Sequence, residues 1–203
     1  PSRRRPWRRR PAVSAGTDAA ICVGSSKTLN ATGGVAYAWS PVTGLNDATI
    51  ASPVATPDST VTYNVIVTDG NGCTATDDVT VTVHQLPVVN ASNDTMICPA
   101  SSVQLTANGA VHYVWTPAAG LSNQTVSNPV ATPSAITSFT VTGTDANGCV
   151  NTDYVIISLA PAPAADAGPD VEICEGQTTQ LNGSGGVTYT WSPGTVTDGT
   201  KSN

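Results

Sequence analysis

Apolar and polar residues alternate strictly in several short stretches of the chain. Val79-Thr-Val81-Thr-Val83 has the period of two that a half-buried strand requires. Val61-Thr-Tyr63-Asn-Val65-Ile-Val67 places Tyr63, Val65 and Val67 on one face. Leu29 and Ala31 share a face, as do Tyr37 and Trp39, and Pro41 closes that last stretch. Turn signals separate these runs. Gly33-Gly34 is one, and Asp69-Gly-Asn71-Gly72-Cys73 is a hairpin signal, because Asn-Gly readily takes positive φ. Ser52-Pro-Val-Ala-Thr-Pro57 has prolines near both ends and suits a short edge strand, after a polar loop carrying Gly44-Leu45. About seven short strands within one such stretch of chain predict a compact two-sheet sandwich.

The whole pattern then recurs. Cys22, Cys98 and Cys174 stand 76 residues apart, as do Trp39, Trp115 and Trp191, and as do Cys73 and Cys149. A fixed period with no drift marks tandem copies of one module. The copies fall at residues 11–86, 87–162 and 163–203, after an Arg-rich stretch at 1–10 that does not alternate. The third copy ends at position 203, within the pattern, so its early strands are expected to lack their partners. Either the chain continues beyond this sequence or another chain completes the unit; the period puts a partner for Cys174 near position 225.

Composition agrees with an all-β chain, dominated by Thr, Val and Ala with many Gly, Pro, Asn and Ser. The net charge of −6 hides an asymmetry. Six of the eight basic residues are Arg3, Arg4, Arg5, Arg8, Arg9 and Arg10, around Trp7, which leaves the modules Lys27 and Lys201 against all fourteen acids. Such acidic modules are poor partners for nucleic acid or anionic membrane. The Arg stretch reads as a disordered or foreign tail. No segment approaches the apolar length of a membrane span.

Each complete copy holds two cysteines 51 residues apart. The expected pairs are Cys22 with Cys73 and Cys98 with Cys149, leaving Cys174 unpaired. A loop of that length is worth about 4 kcal/mol in the loop-entropy model, a large share of the stability of so small a unit. Disulfides imply an oxidising, extracellular setting. Metal ligation is the rival reading, but Cys-x-x-Cys and paired His are both missing. Trp39, Trp115 and Trp191, with Tyr37, Tyr113 and Tyr189, read as core aromatics, the alternative being a platform for sugar rings. Asp18, Asp94, Asp69, Asp145, Asp77 and Asp153 recur at module entries and around the hairpin. Carboxylates at turns bond their own backbone; a rival reading gives them to Ca2+ as the one candidate cofactor. His84 and His112 have no counterpart in every copy, and no nucleophile–base–acid set accompanies them, so no enzyme is expected.

The combined motif Ala-Gly-x-Asp, Ile-Cys-x-Gly, Leu-Asn-Ala, Tyr-x-Trp-Ser-Pro, Gly-Leu, Pro-Val-Ala-x-Pro, Thr-Tyr-x-Val and Thr-Asp-x-x-Gly-Cys-x-x-x-Asp-x-Val-x-Val spans residues 11–203. It resembles the PKD-like, immunoglobulin-like repeats of giant Bacteroidota cell-surface proteins, among them gliding-motility adhesins and type IX secretion cargo. The resemblance implies an immunoglobulin-like sandwich, surface display and an adhesive or spacer role. The partners expected are neighbouring repeats of the same chain, and beyond them other copies in a filament or surface glycans. The leading expectation is a stalk or filament of disulfide-stapled beads. The alternatives are a carbohydrate-binding array of a secreted hydrolase and a filament subunit completed by strands of a neighbouring chain.

Overall fold

The computed structural model describes residues 12–192. The Arg-rich start around Trp7 and positions 193–203 lie outside the described residues. The described residues are all-β and form two immunoglobulin-like sandwiches.

In the first, β1 (Ala19–Cys22), β6 (Thr74–His84), β5 (Val61–Thr68) and β3 (Ala36–Ser40) form one sheet in that order. β5 pairs antiparallel with β3 and β6, whereas β1 runs parallel to β6, from Ala19 opposite Val81 to Cys22 opposite His84. The facing layer is built on β2 (Lys27–Thr28) and β4 (Val54–Ala55). Its ladder continues past the two-residue strands, since Leu29 and Ala31 donate their N–H groups to Pro53 and Ala51. Ser14 bridges to Thr32 on the other side.

The second sandwich repeats this plan. β11 (His112–Thr116), β13 (Thr137–Thr144), β14 (Val150–Leu159) and β8 (Thr95–Ile97) form its main sheet, with β8 parallel to β14. β7 (Asn90–Ala91), β9 (Val103–Gln104), β10 (Ala107–Asn108) and β12 (Val130–Ala131) supply the facing pairs.

The period-two pattern decides what is buried. Tyr63, Val65 and Val67 point inward from β5 and meet Val79 and Val81 of β6, Trp39 of β3, and Leu29, Ala31 and Ala55 of the facing layer. Phe139, Val141, Val155, Ile157, Trp115, Leu105, Ala107 and Ala131 do the same in the second unit. Each fully buried side chain of this size is worth about 1.5–3 kcal/mol against exposure. The tryptophans also close the long polar loop onto the edge strands. Trp39 Nε1 donates to the Ile50 carbonyl at 2.9 Å and its backbone N–H to Ala48 at 2.8 Å. Trp115 repeats both bonds, to Val126 and Gln124. An edge that would otherwise offer unpaired N–H groups is thereby covered.

Gly109 has φ +91°, and a Cβ there would lie 1.8 Å from the Val88 carbonyl oxygen. Gly33 meets Ala12 in the same way one period earlier. The entry strand can lie this close only beside glycine. Gly109→Ala is therefore expected to destabilise the second sandwich by at least the 1–2 kcal/mol or so of an unfavourable φ. A urea titration that left the midpoint unchanged would contradict this reading of the turn.

Residues 163–192 hold one bridge, Asp166 with Ser184, and no assigned strand among the described residues. Leu181 is 41% exposed, whereas Leu29 and Leu105 are 2% and 1% exposed. Trp191 and Tyr189 are half-buried and belong to neither core cluster, so their expected core role is corrected. The reason is local: Trp39 and Trp115 pack against the long hairpin of their own unit, and the third copy has no counterpart of it in residues 163–192.

Candidate functional site: the junction between the two sandwiches

The junction is built by two loops that the repeat supplies at opposite ends of each unit. At the far end of the first unit, β1 and β6 finish side by side. Cys22 lies opposite His84, Val23 donates to the His84 carbonyl, and Ser25 turns back onto Cys22. At the near end of the second unit, the β13–β14 hairpin is held by Asp145. Its Oδ1 accepts the N–H groups of Asn147 and Cys149, each at 2.8 Å, and Gly148 takes φ +82°. This wrapping presents Cys149 at the tip of the hairpin, fully buried.

The two loops are joined covalently. Cys22 and Cys149 form a disulfide, with Cα atoms 5.5 Å apart and a separation of 127 positions along the chain. This corrects the expected pairing of Cys22 with Cys73 and of Cys98 with Cys149. The parallel strand is the reason. Cys22 sits beside the last residue of β6, and Cys73 precedes the first. Eleven residues of strand separate those ends by about 35 Å, far beyond disulfide reach. The second unit repeats the geometry, with Cys98 at the Leu159 end of β14 and Cys149 at the Val150 end. A cysteine on the first strand therefore cannot meet the hairpin cysteine of its own unit. Cys98 and Cys174 are exposed thiols.

One further hydrogen bond supports the junction. Asn151 Nδ2 donates to the Pro87 carbonyl of the linker at 2.9 Å. His84 lies close enough to act on the Asp145 carboxyl. Desolvation pushes the Asp145 pKa up, but the N–H groups of Cys149 and Asn147, the Asn147 side chain and the His84 charge outweigh it and hold it below the ordinary carboxylate value. His84 has no counterpart in the other copies, and only the register of β1 and β6 places it at the junction.

The recurring aspartates hold backbone. Asp77 Oδ2 accepts the Ala15 N–H at 2.8 Å, and Asp153 Oδ2 accepts that of Ala91 at 2.7 Å. Asp18 and Asp94 accept from Thr80 and Ile156, both at 2.8 Å. Asp69 accepts from Asn71 and Cys73. Each pair ties an entry segment or a hairpin to the main sheet. No group of three or more His, Cys, Asp or Glu side chains is placed to hold a metal ion among the described residues. Asp153→Ala is expected to cost about 1–3 kcal/mol, because it leaves the Ala91 N–H without its acceptor. Asp153→Asn, which keeps an oxygen acceptor, is expected to recover part of that in the same denaturant titration.

No protein-family model and no curated protein matches the chain. Among solved structures, two-immunoglobulin DIP-gamma aligns at TM-score 0.37 and 9% identity, covering 76% of this chain and 99% of that one. The insect immune protein hemolin aligns at 0.39 and 11%, covering 74% and 46%. Fibronectin(III)-like modules of Clostridium thermocellum CbhA align at 0.35 and 11%, covering 72% and 93%. These scores are low, and the architecture rests on the strand order and register above. No helix among the described residues is long and apolar enough to cross a membrane.

Proposed function

We propose that the chain is a non-enzymatic structural segment of a secreted or surface-displayed protein, in which sandwich units are joined end to end as a stalk that carries or contributes adhesion. The observation that carries this reading is the Cys22–Cys149 bond between consecutive copies. A bond inside a unit serves that unit's stability, whereas a bond between units fixes how one follows the next. It is head-to-tail, so a further copy joined in the same way adds to the row. Disulfides of this kind belong to oxidising compartments, which supports placement outside the cell.

The carbohydrate-binding alternative asks for an exposed aromatic strip. Trp39 and Trp115 are instead buried, with their indole N–H groups bonded to carbonyls, which disfavours it. One observation favours completion by a neighbouring chain: Val171, Ile173, Leu181 and Val187 of the third copy are exposed apolar residues. Small-angle scattering of the oxidised chain over a concentration series tests both. A stalk segment gives an elongated particle of constant mass, and strand completion gives mass that rises with concentration. A compact, folded-back particle would count against the stalk.

A further inference from the structure

The disulfide joins the end of β1 to the hairpin that opens β14. β1 descends the first sandwich to Cys22. The bond crosses to Cys149, and β14 leaves from Val150 and runs the length of the second sandwich to Leu159. From these connections we infer that the Cys22–Cys149 bond is a mechanical shunt: it carries tension from the first strand of one unit into the last strand of the next and leaves the chain between them unloaded.

The argument is one of covalent path. A pull on the two ends of the chain follows the shortest covalent route. Without the bond, that route is every residue. With it, the route passes from Cys22 to Cys149, and the 127-residue stretch between them becomes a closed loop off the load path. β2 to β13 all lie within that loop. The cores of both units are mostly in it as well, including Trp39, Tyr63, Leu105, Trp115 and Phe139. Beside the bond, what remains on the path within the two sandwiches is β1 and β14, already extended strand with little length to yield. The locked loop amounts to roughly 440 Å of contour at about 3.5 Å per residue.

Pairing inside each unit would behave differently. It would lock two separate 51-residue loops and leave the linker between units on the load path. The shunt instead removes the linker, at Leu86 and Pro87, from the path altogether. Two thiols close the bond by giving up two protons and two electrons to a disulfide-class oxidant. A thiol reductant reverses this, so the shunt is present only where the chain stays oxidised.

The shunt rests on the stalk reading for its use, but its test does not. Handles are attached to the two ends of the full chain, and single molecules are stretched to full unfolding in an optical trap, with and without a thiol reductant. The reduced chain and oxidised Cys22→Ser are expected to release about 440 Å more contour than the oxidised chain. Oxidised Cys98→Ser is expected to release the same length as the oxidised parent. Equal release with and without reductant overturns the shunt. So does a gain of roughly 180 Å in Cys98→Ser, the length of one 51-residue loop. A clear contour gap beside compact scattering would refute the stalk and keep the shunt; an elongated particle with no gap would do the reverse.

Discussion

Replacing Trp115 with alanine is expected to split the unfolding of this chain, with the second sandwich melting far below the first. The indole is fully buried in the second core, and its N–H is bonded to the Val126 carbonyl at 3.0 Å. Truncating a buried aromatic to alanine costs about 3–5 kcal/mol, from lost transfer energy and the cavity left behind. A unit of this size holds about 4–11 kcal/mol at roughly 0.05–0.15 kcal/mol per residue. The substitution therefore removes about a quarter or more of the unit's stability. It also removes one of the two bonds that hold the 122–126 loop to the edge strand, leaving only the backbone N–H of residue 115 on Gln124. Trp115→Phe, which keeps most of the ring and loses the N–H donor, is expected to fall between the two. Differential scanning calorimetry reads all three forms. A Trp115→Ala chain that melts with the parent would show that the ring is no core residue and would reopen the sugar-platform reading.

Much of this fold was legible because the period of two is a direct record of burial. The alternation in 61–67 and 79–83 named the inward faces, and Tyr63, Val65, Val67, Val79 and Val81 are buried as that alternation requires. The Asp-x-Asn-Gly-Cys run announced its turn for the same reason: each residue type meets a local backbone demand. The short facing strands were less visible, since β2, β4, β9 and β12 are two residues each and carry almost no pattern.

The disulfide was misread for a different reason. A spacing of 51 residues inside a copy and one of 127 across copies are both compatible with the repeat, and no local property of Cys22 distinguishes them. The choice depends on whether the first strand runs parallel or antiparallel to the last. That is a non-local fact of pairing, set by how Ala19, Ala20 and Ile21 dock on Val81, Thr82 and Val83. Once the strand is parallel, its end lies at the wrong end of its own unit. The third copy shows the same dependence in reverse. It keeps the entry turn, with Asp166 on Ser184 and Gln177 on Cys174, because those contacts are local. It builds no core around Trp191 within the described residues, because a core needs the distant hairpin.

Cys22→Ser is expected to lower the stability of both sandwiches together, although it touches neither core. Closing a 127-residue loop is worth about 5 kcal/mol in the loop-entropy model, against about 4 kcal/mol for one of 51. The effect acts mainly on the unfolded chain. When the second unit opens in the oxidised protein, its hairpin stays tied to the end of the first, so the released segment explores fewer conformations. The same holds when the first unit opens against a folded second. Loss of the bond therefore makes each unit melt earlier and more independently, and calorimetry is expected to show two lower, separated transitions in place of one closely spaced pair. The parent chain with reductant is expected to match the variant, and Cys98→Ser is expected to match the oxidised parent. If Cys22→Ser lowered only the first transition and Cys98→Ser only the second, the bonds would lie within the units, and the covalent junction between them would not exist.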